Sequence, residues 1–371
     1  MKILFSAENF YPLIGGAEIT VYTLFKELCK RNKIYVICAG DKDRKFQVDK
    51  IQIYQKKKLR IRGRWFHLLM AYKHWKKILS KIVRRVRPDI VLTQLSFAPP
   101  TVKVAKENIL PSILFIHDLR HICPTSFLNR DFSFCNGFCW WCIPRKSKLQ
   151  YVFLKMVMKE HEEALKNADI VIANSKYVAD VVKKKCDVNC EVIYPFIRLD
   201  EYRVKNIEPR YVTFFNPTVT KGAKIVLEIA KKMKDVEFLV VGRKGVNFGK
   251  LPNVTRIAWV NDVKKVYSKT KILLVPSLLA ESFGRVAVEA MANGIPCIVS
   301  GRGALPEVVG DAGIVIKNPL NVGAWINSIN KLRSDDVLYR KMREKAIKQA
   351  EKFRFEAQYE KFRNILKYLV S

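Results

Sequence analysis

The chain reads as an α/β protein of two domains, each built on a parallel sheet. Three observations predict it. Short apolar runs of strand length alternate with amphipathic helical segments along the chain. Its 371 residues exceed one ordinary domain and suit two, each with a core of its own. A junction at roughly 195–208 separates two runs of that alternation.

Taken in order, Lys2–Ala7 is a first strand, followed by the loop Glu8–Gly16, an amphipathic helix over Ala17–Arg31 and a strand over Lys33–Ala39. The loop carries Gly15-Gly16-Ala17-Glu18, and paired glycines there let another group approach the backbone closely. From Lys56 to Arg87 there are thirteen Lys or Arg and no Asp or Glu. Within this stretch Trp65, Leu68, Leu69, Tyr72, Trp75, Leu79, Ile82 and Val86 recur at helical spacing, while Lys73, Lys76, Lys77, Lys81 and Arg84 take the other side. That predicts an amphipathic basic helix. It either lies on an anionic membrane with Trp and Tyr at the interface, or packs its stripe on the domain core and turns its cations to solvent or to a membrane.

Pro88–Thr93 and Ser112–Ile116 are further strands, the second ending in His117-Asp118. A histidine at the carboxyl edge of a parallel strand can hydrogen-bond a sugar or orient an acceptor. His67, His74, His121 and His161 have no comparable context. Helices over Leu149–Asn167 and Ser175–Lys185 flank a strand at Asp169–Ala173, and a strand at Glu191–Tyr194 leads into Pro195-Phe196-Ile197. The second half repeats the alternation: strands at Tyr211–Phe215, Glu237–Gly242, Val254–Ala258, Lys271–Val275 and Pro296–Ser300, with Asn216–Gly222 starting a helix after the first. The tail from Asn321 is helical and closes on Phe355–Val370.

Composition narrows the class. Apolar residues make up 49%, so the chain is globular and not disordered. No apolar run reaches the ~18 residues that span a bilayer. Met1–Glu8 is too short and too soon acidic for a signal peptide, which points to the cytoplasm. The net charge of +34 draws polyanions: nucleic acid, acidic lipid surfaces or nucleotide diphosphates. No nucleic-acid-binding motif is recognisable. Nine cysteines without a secretion signal argue against a secreted disulfide framework. Cys29, Cys38 and Cys297 lie in apolar segments and read as small core residues. Cys123, Cys135, Cys139 and Cys142, with Trp140-Trp141 among them, can supply four thiolates to a structural zinc, with disulfides as the alternative. Cys186 and Cys190 are too isolated to interpret.

The stretch Glu281–Ala292 carries the strongest chemical signal. It follows a short buried strand that ends at Pro276-Ser277, and it precedes Asn293-Gly294-Ile295-Pro296, a helix stop before another strand. Its loop, Glu281-Ser282-Phe283-Gly284, therefore lies at the carboxyl end of a strand and opens a helix, where backbone N–H groups and partial positive charge meet anions. Arg285 and Glu289 sit four apart on one helix face. A carboxylate there can accept hydrogen bonds from a ribose diol while the backbone above holds phosphate.

Glu281 and Glu289, eight apart around Ser282-Phe283-Gly284, resemble the E-x7-E motif of the family-4 retaining glycosyltransferases. Gly303-Ala304-Leu305-Pro306-Glu307-Val308-Val309 resembles the family's G-x-P-E-V segment, and Gly15-Gly16-Ala17-Glu18 its G-G-x-E loop. Tyr194-Pro195-Phe196-Ile197 resembles its Y-P-G-V junction, with Phe196 in place of glycine. The resemblance implies a GT-B fold: two Rossmann-like domains facing across a cleft, 1–195 for the acceptor (with a Cys-rich loop at 117–147) and 209–352 for the donor. A C-terminal helix over 353–371 would cross back to the N-terminal domain.

It further implies transfer of a sugar from a nucleotide diphosphate sugar to an acceptor hydroxyl with retention, and the basic helix points to surface glycan, glycolipid or polysaccharide synthesis. No cofactor is required. His117 and Glu281 would be catalytic. Gly15, Gly16, Lys221, Ser282, Phe283, Gly284, Arg285 and Glu289 would bind the donor. Many members carry an arginine five residues before that lysine, where this chain has Asn216, so Arg243, Arg285 and Arg302 are candidates for the second phosphate cation. The implied partners are the donor and a glycan or lipid-linked acceptor; the basic stretch 56–87 adds an anionic membrane surface, met from the cytoplasmic face. An epimerase or phosphorylase of the same architecture, or a basic nucleic-acid-binding protein, are the competing readings.

Overall fold

The computed structural model describes residues 1–10, 15–59, 64–123, 151–206, 208–242, 245–260 and 262–370. They form two compact units, Met1–Phe196 with Gln358–Ser371, and Ile197–Ala357.

Unit 1 is built from β1 (Lys2–Ala7), α1 (Gly16–Leu28), β2 (Lys33–Gly40), β3 (Arg44–Val48), β4 (Ile51–Lys57), α2 (Arg64–Val86), β5 (Ile90–Gln94), α3 (Ala98–Glu107), β6 (Ser112–Ile116), β7 (Ile170–Ala173) and β8 (Glu191–Val192), with helices Tyr151–Asn167 and Lys176–Cys186. The sheet order is β3-β4-β2-β1-β5-β6-β7-β8. All pairs are parallel except β3 with β4. β5 and β6 are buried at every position, which explains why they read as continuous apolar runs: a central parallel strand is covered on both faces. The antiparallel β3–β4 hairpin escaped the sequence reading. Its turn is made by Asp49 at φ +51°, and Arg44, Lys45 and Gln47 face solvent, leaving β3 no apolar signature.

α2 is the basic helix, beginning at Arg64 because Lys56 and Lys57 belong to β4. Trp65, Tyr72 and Trp75 are 7%, 5% and 2% exposed. Tyr72, Trp75, Leu79, Ile82 and Val86 join Leu4, Ile37 and Tyr54 in one core cluster. The expectation of Trp and Tyr at a membrane interface is therefore corrected. The sheet needs an apolar cover on this face, and the stripe supplies it. Lys73, Lys77, Lys81 and Arg84 remain exposed on the opposite side.

Unit 2 contains β9 (Tyr211–Phe215), β10 (Phe238–Val241), β11 (Val254–Ile257), β12 (Thr270–Val275), β13 (Cys297–Ser300) and β14 (Gly313–Ile316), in the order β11-β10-β9-β12-β13-β14, all parallel. The segment after β9 departs from the expected helix start: Val219–Lys221 is a 3-10 turn and the helix begins at Ala223. Gly222 breaks the two with φ +87°, where a Cβ would lie 2.0 Å from the Pro276 carbonyl oxygen. Helices Val322–Ser334 and Asp336–Glu351 follow.

The final helix, Phe355–Val370, belongs from Gln358 onward to unit 1. Phe362, fully buried, meets the rings of Phe115 (5.8 Å) and Phe196 (5.9 Å). Gln358 Oε1 accepts the Tyr194 amide at 3.1 Å. Phe196, the departure from the glycine of the Y-P-G-V pattern, thus serves as a packing partner for this helix. Of the cysteines read as core, Cys38 and Cys297 are buried, while Cys29 caps α1 and is only half-buried.

Candidate active site

In unit 2 the carboxyl ends of β9 and β12 bring distant residues together. Lys221, in the turn after β9, places Nζ 2.5 Å from Glu281 Oε1, in the loop after β12. Glu281 is fixed by its backbone: its carbonyl accepts the Ala304 amide at 2.8 Å. Gly303 passes so close, at φ +65°, that a Cβ would sit 2.1 Å from that same carbonyl oxygen. This explains why the G-x-P-E-V segment must open with glycine.

Gly284, at φ +100°, precedes the short helix Arg285–Met291. Phe283 turns its ring inward against Phe353 (5.3 Å), so a ligand would meet its backbone and not its ring. Ser282 beside it is half-buried.

Glu289 lies one helical turn beyond Arg285 and is 7% exposed. Its Oε2 accepts from the buried Tyr267 hydroxyl at 2.8 Å, and its Oε1 from Arg285 Nε at 3.4 Å. Arg285 Nη2 also donates to the Tyr202 hydroxyl at 2.9 Å. Burial raises the Glu289 carboxyl above its ordinary range, more than Arg285 and Tyr267 pull it down. Burial, then the Glu289 charge, drives the Tyr267 phenol well up. Arg285 is thus committed to Glu289 and Tyr202, Arg302 is half-buried, and Arg243 lies outside the described residues. Tyr267 and Tyr202 were not found from the sequence: they stand 22 and 83 positions from their partners, and no local pattern marks them.

In unit 1, Gly15 is the N-cap of α1 and Gly16 its first residue. Glu18 folds back over Gly15 and binds its amide, the half of a capping box that a glycine N-cap leaves. Burial raises its carboxyl above the ordinary range. Glu8, after β1, is opposed by burial but held below its ordinary range by Lys58, Ser96 and Arg120.

His117, half-buried after β6, stacks on Phe115 at 5.9 Å, and its carbonyl accepts from Asn174 Nδ2 at 3.0 Å. Beside it runs a buried chain that the sequence did not suggest. Tyr72 Oη meets His161 Nε2 at 3.0 Å, and His161 Nδ1 meets His121 Nδ1 at 2.9 Å. One ring must donate to the other, so both cannot carry two protons. Burial and the neighbouring Arg120 charge depress His121 to about 3.

Of the four cysteines proposed for zinc, Cys123 is buried, and Cys135, Cys139 and Cys142 lie outside the described residues. Among the described residues no cluster of three or more His, Cys, Asp or Glu could hold a metal, and no helix is long and apolar enough to cross a membrane.

Two parallel-sheet units, with a lysine–glutamate pair and a buried second glutamate at the carboxyl edge of one of them, define a GT-B glycosyltransferase. The fold matches sucrose-phosphate synthase from Thermosynechococcus elongatus with a TM-score of 0.77 at 15% identity, over 99% of this chain and 98% of that one. It matches HepE of Anabaena, solved with UDP-glucose, with a TM-score of 0.71 at 17% identity over the whole of both chains. In sequence, N-acetyl-alpha-D-glucosaminyl L-malate synthase of Bacillus anthracis is 25% identical over 95% of this chain and 92% of its own length. The family described as Glycosyltransferase Family 4 matches residues 14–201, and that described as Glycosyl transferases group 1 matches 206–353. The chain belongs to glycosyltransferase family 4.

Proposed function

We propose that this glycosyltransferase takes a nucleotide diphosphate sugar and passes its sugar, with retention, to a hydroxyl of a lipid-linked or surface glycan. The Lys221–Glu281 pair carries the reading. Breaking the glycosyl–phosphate bond builds negative charge on the diphosphate, and an ammonium with nearby backbone amides stabilises that charge without reorganising. In the free chain Lys221 and Glu281 satisfy each other. A bound donor would exchange that pair for two matched contacts, phosphate with Lys221 and sugar hydroxyls with Glu281.

The amides around Ser282, Phe283 and Gly284 add to the positive potential, so the reading asks for no metal at the diphosphate. Glu289, oriented by Tyr267 and Arg285, would take the ribose hydroxyls on its remaining lone pairs. Gly15, Gly16 and His117 would lie along the sugar and acceptor. UDP is the first nucleotide to test, because HepE was solved with UDP-glucose. The exposed cations of α2 would hold the enzyme to an anionic membrane where a lipid-linked acceptor resides, and Cys123, Cys135, Cys139 and Cys142 would hold one structural zinc.

Thermal unfolding with UDP, GDP, ADP and their sugar conjugates tests the donor site. At a hundred times Kd the right nucleotide adds about 2.7 kcal/mol of stability, and Glu289→Ala should remove the shift. A shift that survives Glu289→Ala, or none with any nucleotide, would sink the assignment. Proton NMR of the first product reads its anomeric configuration, and metal analysis of purified protein reads zinc per chain.

A further inference from the structure

A groove of about 940 Å³ lies in unit 1, between the carboxyl ends of β2 and β4 and the flank of α2. Lys56, Lys57 and Lys58 from the end of β4 and Lys81 from α2 stand on its wall, against two acids, Asp41 and Asp43. Among the described lining residues, four lysines less two aspartates leave two charges positive, with His74 counted as neutral. Asp43 is already used: it accepts from Lys56 Nζ at 2.8 Å and from the Lys57 amide at 2.7 Å. Lys58 turns to Glu8. Lys57 and Lys81 have no side-chain ion-pair partner among the described residues. Like charges gathered without compensation repel, and a multivalent anion would relieve them.

The floor has a different character. Ile82 is buried, and Ile78 and Leu59 are half-buried. Among the described residues no Phe, Tyr or Trp lines the groove, and the His74 imidazole is the one ring there to stack a nucleobase, which disfavours a single strand of nucleic acid. Cations over an aliphatic floor suit a phosphate on an apolar body.

We propose that this groove binds the phosphate of an amphiphilic phosphate ester, with Lys57 and Lys81 on the phosphate and Ile78 and Ile82 under the apolar part. It is a binding site separate from the donor residues of unit 2 and does not rest on their assignment. The ester can be a lipid headgroup or a soluble phosphorylated molecule.

Titration calorimetry of the full chain tests it, with n-octyl phosphate below its micelle concentration, inorganic phosphate and n-octyl glucoside as probes. Octyl phosphate should bind more tightly than either of the others. The double variant Lys57→Gln/Lys81→Gln should bind it at least about tenfold more weakly, the loss expected for one charge-assisted contact. Lys73→Gln/Arg84→Gln, on the exposed side of α2, should leave it unchanged, and circular dichroism and the melting temperature of both variants report that the rest of the chain is intact. Equal binding by wild type and the groove variant, or octyl glucoside matching octyl phosphate, would overturn the proposal whatever the donor assays show. Flotation with phosphatidylglycerol vesicles separates the sources. Loss in the groove variant identifies a lipid headgroup, and retention alongside lost octyl phosphate binding identifies a soluble ester, each supporting the site.

Discussion

In unit 2 the charges at the carboxyl edge are matched, Lys221 with Glu281 and Arg285 with Glu289, whereas α2 of unit 1 turns Lys73, Lys77, Lys81 and Arg84 outward with no acid on the helix. Both regions set cations beside a parallel strand. The difference is where the acids are. Matched pairs preorganise a site for a ligand that brings both a phosphate and hydroxyls, and they hold that geometry before it arrives. An unmatched field acts at a distance, on any anion, and weakens with salt.

The comparison can be broken from either side. The largest effect should come from the inner face of α2. Trp75 is buried, donates from Nε1 to Ser6 Oγ at 2.9 Å and lies 4.4 Å from the Phe97 ring. Trp75→Ala should cost about 3–5 kcal/mol of stability in denaturant unfolding, and a much smaller loss would mean the stripe is not core. Lys221→Ala should lower kcat by about 10²-fold or more while stability hardly moves. An unchanged kcat would show that the Lys221–Glu281 pair is only structural.

Glu289→Gln sharpens the contrast between pairing and burial. The folded carboxyl titrates above its unfolded value, so the folded state holds its proton more tightly. Stability is therefore lost as pH rises from the unfolded value through the folded one. The amide escapes that loss. Glu289→Gln should thus melt higher than wild type near pH 7, by a margin that shrinks toward pH 4, even as it loses donor binding. A margin that grows on acidification would reverse the sign of the argument. Smallest of all, Lys77→Gln on the outer face should shift stability by no more than about 0.5 kcal/mol. It should weaken vesicle flotation at low salt, and unchanged flotation would remove the membrane role of that face.

What the sequence showed and hid follows the same division. Glu281 and Glu289 were legible because their spacing is local, and β9, β10, β12 and β13 because buried parallel strands are mostly apolar, whereas β14, half-buried at three of its four positions, was not read. β9 and the helix Phe355–Val370 have the bounds their patterns suggested. The partners that tune the site were not legible. Tyr267, Tyr202 and the His121–His161 pair are joined to their neighbours by folding alone, across 22, 83 and 40 positions. The α2 stripe looked alike for membrane and core, since both environments ask a helix for the same apolar face.

The membership of Gln358 onward in unit 1 has a consequence for how the protein is made. On the ribosome, β1 to β8 emerge first, yet Phe115 and Phe196 lack their cover until Phe362 has been synthesised. At ~5–20 residues per second the whole of unit 2 is translated in between, a wait of roughly ten to thirty seconds. Unit 2 is continuous in the chain and can close while still tethered. Unit 1, begun first, is completed last, and a nascent chain stalled anywhere in unit 2 presents chaperones with an apolar face at Phe115 and Phe196.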